Sequence, residues 1–293
     1  MTVVLGFSDE QAPAQRLAAA LDLEYRSIGQ HRFPDGESRV TLPPELPPTV
    51  VLYRSLAHPD TKLMELLLAA HTARELGAER IVLVCPYLCY MRQDMAFHPG
   101  EAVSQRIIGR FLAGLVDAVI TVDAHLHRIT RLDEAIPLPH AYNLSAAPLL
   151  GRYLFDQTRE AILLGPDEES RQWVEQAARQ GNFGFAVADK VRHGDRRVAI
   201  RLPDLDYRQQ HVVLVDDMIS SGHTLAEAAR QLHAAGVRRV DALCTHALYD
   251  VEAAAMLQQA GIETIWSSDS VAHPSNRVEL APLLATTVTE VLA

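Results

Sequence analysis

The chain has 293 residues, a length that suggests about two domains, and is 48% hydrophobic and 22% charged, which excludes extended disorder, collagen-like repeats and disulfide-dense miniproteins. Its net charge of −10 argues against a broad basic surface, so no nucleic-acid partner is expected and an anionic substrate would need local cations or a metal. Cys85, Cys89 and Cys244 form no C-x-x-C unit, the N-terminus lacks the pattern of a signal peptide, and no apolar run approaches the roughly 18 residues needed to cross a bilayer. A reducing, cytoplasmic setting without membrane contact is the expectation.

In chain order, β-rich runs at residues 3–7, 50–53, 81–84, 119–122, 161–164, 212–215, 240–243 and 264–266 alternate with helical patterns such as 62–76, 103–115, 225–234 and 251–260. That alternation predicts an α/β fold: two doubly wound parallel-sheet domains with helices on both faces. The Pro-rich stretch 42–48 reads as a rigid turn between strands. A joint recurs, at residues 75–84 and 234–243, where a helix runs through Gly77 or Gly236 into a strand. The glycine suits a left-handed helix stop. One such joint in each half hints at two similarly built domains, with a boundary near residues 142–148, giving 1–143 and 144–293. The last helix is a candidate to pack back on the first domain.

The sharpest local signal is residues 211–225, an apolar strand ending in Asp216-Asp217, a polar loop Ser220-Ser221-Gly222-His223-Thr224, and a helix. Such a loop aims backbone N–H groups and a helix N-terminus at one point, and its hydroxyls add donors, so it suits a phosphate monoester. The carboxylates of Asp216 and Asp217 are acceptors that match vicinal sugar hydroxyls, at the strand end where open α/β sheets bind ligands. The alternative is that Ser and Thr here merely cap the helix. Two adjacent acids after an apolar strand weigh against that.

Five further segments stand in order ahead of this loop: Phe33-Pro-Asp35-Gly36-Glu37, a stretch ending Arg92-Gln93-Asp94, Asp123-Ala-His125, Gly165-Pro-Asp167 and Lys190-Val-Arg192. Arg offers a planar fork of donors matching polyphosphate oxygens, although Arg92-Gln93-Asp94 alone could be an exposed polar turn. A neutral imidazole at His125 can bind a metal or a phosphoryl oxygen; His127 has no comparable support. Asp167 offers the oxygen ligand Mg²⁺ prefers, or it caps a helix over 168–178. Lys190 and Arg192 could equally lie on a solvated charged hairpin.

The phosphate loop resembles that of the type I phosphoribosyltransferase fold, and the six segments together, in order and spacing, resemble the signatures of the ribose-phosphate diphosphokinase (PRPP synthetase) family over nearly the whole chain. The resemblance implies transfer of the β,γ-diphosphoryl group of Mg-ATP to the 1-hydroxyl of ribose 5-phosphate. It implies that residues 1–143 form the ATP side and 144–293 the ribose 5-phosphate side. Arg92 and Gln93 would contact ATP, and Phe33, Asp35, Gly36 and Glu37 would supply the adenine pocket from a neighbouring subunit of a homo-oligomer. His125 and Asp167 would place Mg²⁺. Lys190, Arg192 and His125 would serve catalysis, with Arg192, Asp216, Asp217 and Ser220 to Thr224 holding ribose 5-phosphate. Two departures from the family pattern stand out: Glu168-Glu169 follows Asp167 where a glycine pair is typical, and the glycine of the phosphate loop is moved by one position. A phosphoribosyltransferase acting on a nucleobase and a non-catalytic paralogue of the synthetase are the rival readings.

Overall fold

The computed structural model describes residues 1–193 and 197–293, with the side chains of residues 190–199 outside that description. It divides into two compact units, Met1–Leu144 with Glu279–Ala293, and Ser145–Val278.

The first unit runs β1 (Thr2–Phe7), α1 (Gln11–Leu21), β2 (Glu24–Arg32), β3 (Ser38–Thr41), β4 (Thr49–Tyr53), α2 (Pro59–Glu75), β5 (Arg80–Cys85), α3 (Ser104–Ala113), β6 (Ala118–Val122) and β7 (Ala141–Leu144). The second runs α4 (Ala147–Gln157), β8 (Ile162–Gly165), α5 (Arg171–Gly181), β9 (Gly184–Val187), β10 (Asp189–His193), β11 (Arg197–Arg201), β12 (His211–Ile219), α6 (His223–Ala234), β13 (Arg239–Ala247), α7 (Val251–Gln259), β14 (Ile262–Ser268) and β15 (Asn276–Val278). The last helix, α8 (Ala281–Leu292), packs against α1 in the first unit.

The sheet of the first unit has the order β3-β2-β1-β4-β5-β6-β7, and that of the second β15-β14-β13-β12-β8-β9. Neighbours are parallel throughout, except that β3 pairs antiparallel with β2. Strands β10 and β11 form a separate antiparallel ribbon. The central strands are rich in Val, Ile and Leu because helices cover both faces: β5 and β6 are buried almost end to end. Each unit has its own apolar core, around Leu5, Leu52, Leu66 and Leu83 in the first and Leu164, Leu214, Leu232 and Ala242 in the second.

The two helix-to-strand joints share one geometry. Gly77 and Gly236 have φ of 98° and 86°. The N–H of Ala78 bonds the carbonyl of Ala73, and that of Val237 bonds the carbonyl of Leu232, the paired C-terminal closure that a left-handed residue permits.

Both sheets also reverse direction at the same place. In each, the first strand (β1 or β8) has the next strand on one side (β2 or β9) and a later strand (β4 or β12) on the other. Open α/β sheets receive ligands beyond the carboxyl ends of the strands at such a reversal.

Candidate active site

In the second unit the reversal lies between β8 and β12, which are held in register from Ile162↔Val212 to Leu164↔Leu214. Asp167 lies just past the end of β8, and Asp216 and Asp217 follow the paired part of β12. The strand extends to Ile219, four residues beyond the apolar run, so both acids are strand residues next to β13, with Asp216 level with Cys244. Asp217 is 3% exposed. Its backbone N–H donates to Asp216 Oδ1 at 3.0 Å. Burial first, then the negative charges of Asp217 and Asp167, push the Asp216 carboxyl well above the usual carboxylate range. The Cys244 thiol is pushed up by burial and by the same two aspartates of β12, so it stays protonated.

Beyond Ile219 the chain turns through residues 220–224 into α6. The cap of that helix is Gly222, in left-handed conformation with φ of 73°, and no side-chain capping bond is made there. Ser and Thr are therefore not the cap, and the positive end of the helix is left facing the loop. Ser220 and Thr224 are half-buried while Ser221 and His223 are exposed. A Cβ on Gly222 would stand 3.1 to 3.2 Å from three carbons of Leu257, a side chain that is wholly buried. Glycine is favoured there by the left-handed backbone, and a Cβ would require Leu257 to give way.

Asp167 precedes a short 3-10 turn, Glu168–Ser170, ahead of α5. Its backbone carbonyl accepts from the N–H of Ser170 at 3.1 Å and from Ser170 Oγ at 2.5 Å. Its carboxylate makes no capping bond. Lys190 and Arg192 lie on β10, level with Ile200 and Val198 of β11; their side chains fall outside the described residues.

In the first unit, Phe33, Asp35, Gly36 and Glu37 form the exposed tip of the β2–β3 hairpin. The tip is tightly closed: the N–H of Phe33 donates to the Glu37 carbonyl at 2.8 Å, that of Gly36 to the Phe33 carbonyl at 2.9 Å, and that of Glu37 to Asp35 Oδ1 at 3.1 Å. Gly36 has φ of 94°. The ring of Phe33 meets His31 edge-on at 4.8 Å.

Arg92 is exposed and Gln93 half-buried in the loop after β5, where Gln93 Nε2 donates to the Met95 carbonyl at 3.1 Å and the Gln93 carbonyl accepts from the N–H of Gln105. His125 follows β6, half-buried, with its ring 4.2 Å from that of His127. The loops after β5 and β6 are joined, because Asp94 accepts from Arg128 at 2.6 Å. Tyr90 bonds Asp60 at the start of α2 at 2.6 Å, and Arg32 of the hairpin bonds Thr61 at 2.9 Å. Hairpin, α2 and the two loops are thus linked along the carboxyl edge of the sheet.

Sequence reasoning missed the charged cluster at the reversal of this first sheet. Arg54, 1% exposed, follows β4 directly and pairs with Asp9, Glu10 and Glu65. Its guanidinium also stacks over Phe7, 4.2 Å from the ring centre. Lys62 donates to Glu10 at 2.6 Å and to the Ser55 carbonyl at 2.7 Å, and the N–H of Ser55 donates to Glu10 at 2.9 Å. Burial raises the Glu10 carboxyl while Lys62 and Arg54 pull it back. A charged residue immediately after an all-apolar strand was the available signal, the same one that marked Asp216.

Comparison with known proteins follows this division. The N-terminal domain of ribose phosphate pyrophosphokinase matches residues 2–115 and the phosphoribosyl transferase domain matches residues 144–269. The chain is similar to the ribose-phosphate pyrophosphokinase of Methanopyrus kandleri, 39% identical over 98% of either chain, and to that of Methanosarcina acetivorans, 34% identical over 96% of this chain and 97% of the other. Its fold is that of the phosphoribosylpyrophosphate synthetase from Mycobacterium smegmatis, with a TM-score of 0.81 at 22% identity over 100% of this chain and 99% of that one. By identity along its whole length, this chain belongs to the ribose-phosphate pyrophosphokinase family.

Proposed function

We propose that the protein is a ribose-phosphate diphosphokinase, transferring the β,γ-diphosphoryl group of Mg-ATP to the 1-hydroxyl of ribose 5-phosphate and releasing PRPP and AMP. The observation that carries this reading is the carboxyl edge of β8 and β12, where the buried Asp217 and the half-buried Asp216 stand beside a helix N-terminus that no side chain caps. Acceptors for sugar hydroxyls and donors for a phosphate are thereby side by side, as ribose 5-phosphate requires. Asp216 and Asp217 hold the ribose hydroxyls, and Ser220, Ser221, Gly222, His223 and Thr224 hold the 5-phosphate.

Arg92 and Gln93 grip ATP, and Phe33, Asp35, Gly36 and Glu37 form the adenine pocket of a neighbouring subunit in a homo-oligomer. Lys190 and Arg192 stabilise the charge that builds on the transferring group and the departing nucleotide, Arg192 also touching ribose 5-phosphate. Phosphoryl transfer depends mainly on positioning and electrostatics, so no covalent nucleophile is needed.

The donor set suits Mg²⁺, a hard cation that takes carboxylate oxygens together with phosphate oxygens: burial, then the charges of Asp217 and Asp167, disfavour ionisation of Asp216. Asp167 and His125 are the residues assigned to hold it. When bound, Mg²⁺ neutralises charge on the phosphoryl oxygens. A cytoplasmic setting is supported by Cys85, Cys89 and Cys244, all free and buried.

The deciding assay follows AMP release from ATP and PRPP formation in the same reaction. AMP and PRPP should appear in equal amounts, only when ribose 5-phosphate is present. Base-dependent diphosphate release from PRPP, with no AMP formed from ATP, would replace this reading by that of a phosphoribosyltransferase. Binding of both substrates without turnover would make the chain a non-catalytic paralogue.

A further inference from the structure

The β2–β3 hairpin carries the tip 33–37, yet its strands bury little: along β2 only Ile28 is fully buried, and β3 alternates half-buried and exposed residues. Apolar packing alone fixes such an edge weakly. Besides their own backbone pairing, both strands hydrogen-bond one side chain of α2. Glu65, 6% exposed, accepts from Gln30 Nε2 of β2 at 2.8 Å on one oxygen and from Ser38 Oγ of β3 at 3.5 Å on the other.

The same carboxylate is held by Arg54, whose other nitrogen pairs with Asp9, two residues past the end of β1. Gln30 closes the ring from above, since its Oε1 accepts from Ser8 Oγ at 3.0 Å and from the N–H of Asp9 at 3.4 Å. Gln30 and Ser38 flank the tip, which is itself locked by the Phe33 to Glu37 bond.

We infer that Glu65, anchored by Arg54, is a positioning residue for the ATP-binding tip, its buried carboxylate fixing both strands of the hairpin that presents Phe33, Asp35 and Glu37. The inference rests on the assignment of that tip to ATP. Binding energy at the tip is realised only if its backbone is preset, because an ordered loop loses less entropy on binding than a mobile one. Misplacement of a positioning element by about 1 Å can cost about 100-fold.

The test uses the full-length protein with Mg²⁺, comparing Glu65→Gln, Gln30→Met and Phe33→Ala by KM for ATP, KM for ribose 5-phosphate, kcat and melting temperature. Gln30→Met keeps the bulk of a half-buried residue and removes its hydrogen bonds, so it stays informative if Glu65→Gln fails to fold. Both positioning variants should raise KM for ATP by about 10- to 100-fold, with KM for ribose 5-phosphate and kcat within twofold. A residue that only supports the fold would lower the melting temperature and the active fraction and leave KM for ATP where it was, and that result in folded Gln30→Met overturns the inference. If Phe33→Ala raises KM for ATP and neither positioning variant does, the inference fails alone. If Phe33→Ala leaves KM for ATP unchanged, the assignment of the tip fails and the inference falls with it.

Discussion

The two units place carboxylates at the same point of the same topology and treat them in opposite ways. At the reversal between β1 and β4, Asp9, Glu10 and Glu65 are met by Arg54 and Lys62, so the neighbouring cations offset part of the rise that burial imposes on the Glu10 carboxyl. At the reversal between β8 and β12, the charges that act on Asp216 are those of Asp217 and Asp167, and both push it up with burial. A crevice that open α/β sheets ordinarily offer to a ligand is filled from within in the first unit. In the second, the chain carries an electrostatic penalty of a kind that substrate hydroxyls and a cation relieve. Perturbed acids in a polar edge point to function where burial and like charges both raise them, and to structure where cations beside them oppose the rise.

The largest effect expected from this contrast is on stability. Arg54→Met keeps much of the bulk of the side chain and strands buried carboxylates, which costs about 3–5 kcal/mol, read as a shift of the urea midpoint of the full-length protein. A loss below about 1 kcal/mol would mean the cluster is not the plug described. Lys190→Ala tests the opposite arrangement, in which a cation is brought to the reacting phosphates only during turnover: kcat should fall by about 10²–10³-fold with KM for ribose 5-phosphate little changed, since the interaction forms mainly in the transition state. Unchanged kcat would remove Lys190 from the reaction.

Asp216→Asn separates stability from binding at one atom. A carboxyl whose folded pKa is raised binds more protons folded than unfolded, so the apo protein loses stability as pH rises from the ordinary carboxylate value of about 3.9 through the raised one. The asparagine variant lacks that loss. Its apo form should be more stable than the parent at pH 7 and show a flatter pH dependence of melting temperature, while ribose 5-phosphate binds about 10- to 100-fold more weakly. An apo form less stable than the parent would make Asp216 a structural residue like Glu10.

The alternation of strands and helices was legible because most central strands, β4, β5 and β12 among them, carry runs of Val, Ile and Leu bounded by polar residues. The hairpin was not. Glu24–Arg32 reads EYRSIGQHR, in which one buried isoleucine is too little apolar signal to mark a strand. The two glycine joints were readable in detail, since a left-handed stop leaves few alternatives to glycine. Asp216 and Asp217 announced themselves as a pair, whereas Arg54 is single and its partner Glu65 lies eleven residues on, among the leucines of α2, where sequence pattern gives no hint that the acid points inward. Charge partners brought together by tertiary packing leave no local trace.

The smallest effect concerns how the two equivalent helices begin. Both α2 and α6 are entered through a left-handed residue without a side-chain cap, His58 with φ of 53° and Gly222 with φ of 73°. His58 is exposed and its side chain has room, whereas a Cβ at Gly222 meets buried Leu257. Gly222→Ala therefore pays left-handed strain of about 1–2 kcal/mol plus the displacement of Leu257, and it moves the first N–H groups of α6. KM for ribose 5-phosphate should rise by about tenfold. His58→Gly relieves similar strain but gains unfolded-state entropy, so stability should change by less than about 0.5 kcal/mol and KM for ribose 5-phosphate not at all. Equal responses at the two positions would mean that the helix start in the second unit is no more specialised for a phosphate than the plugged one in the first.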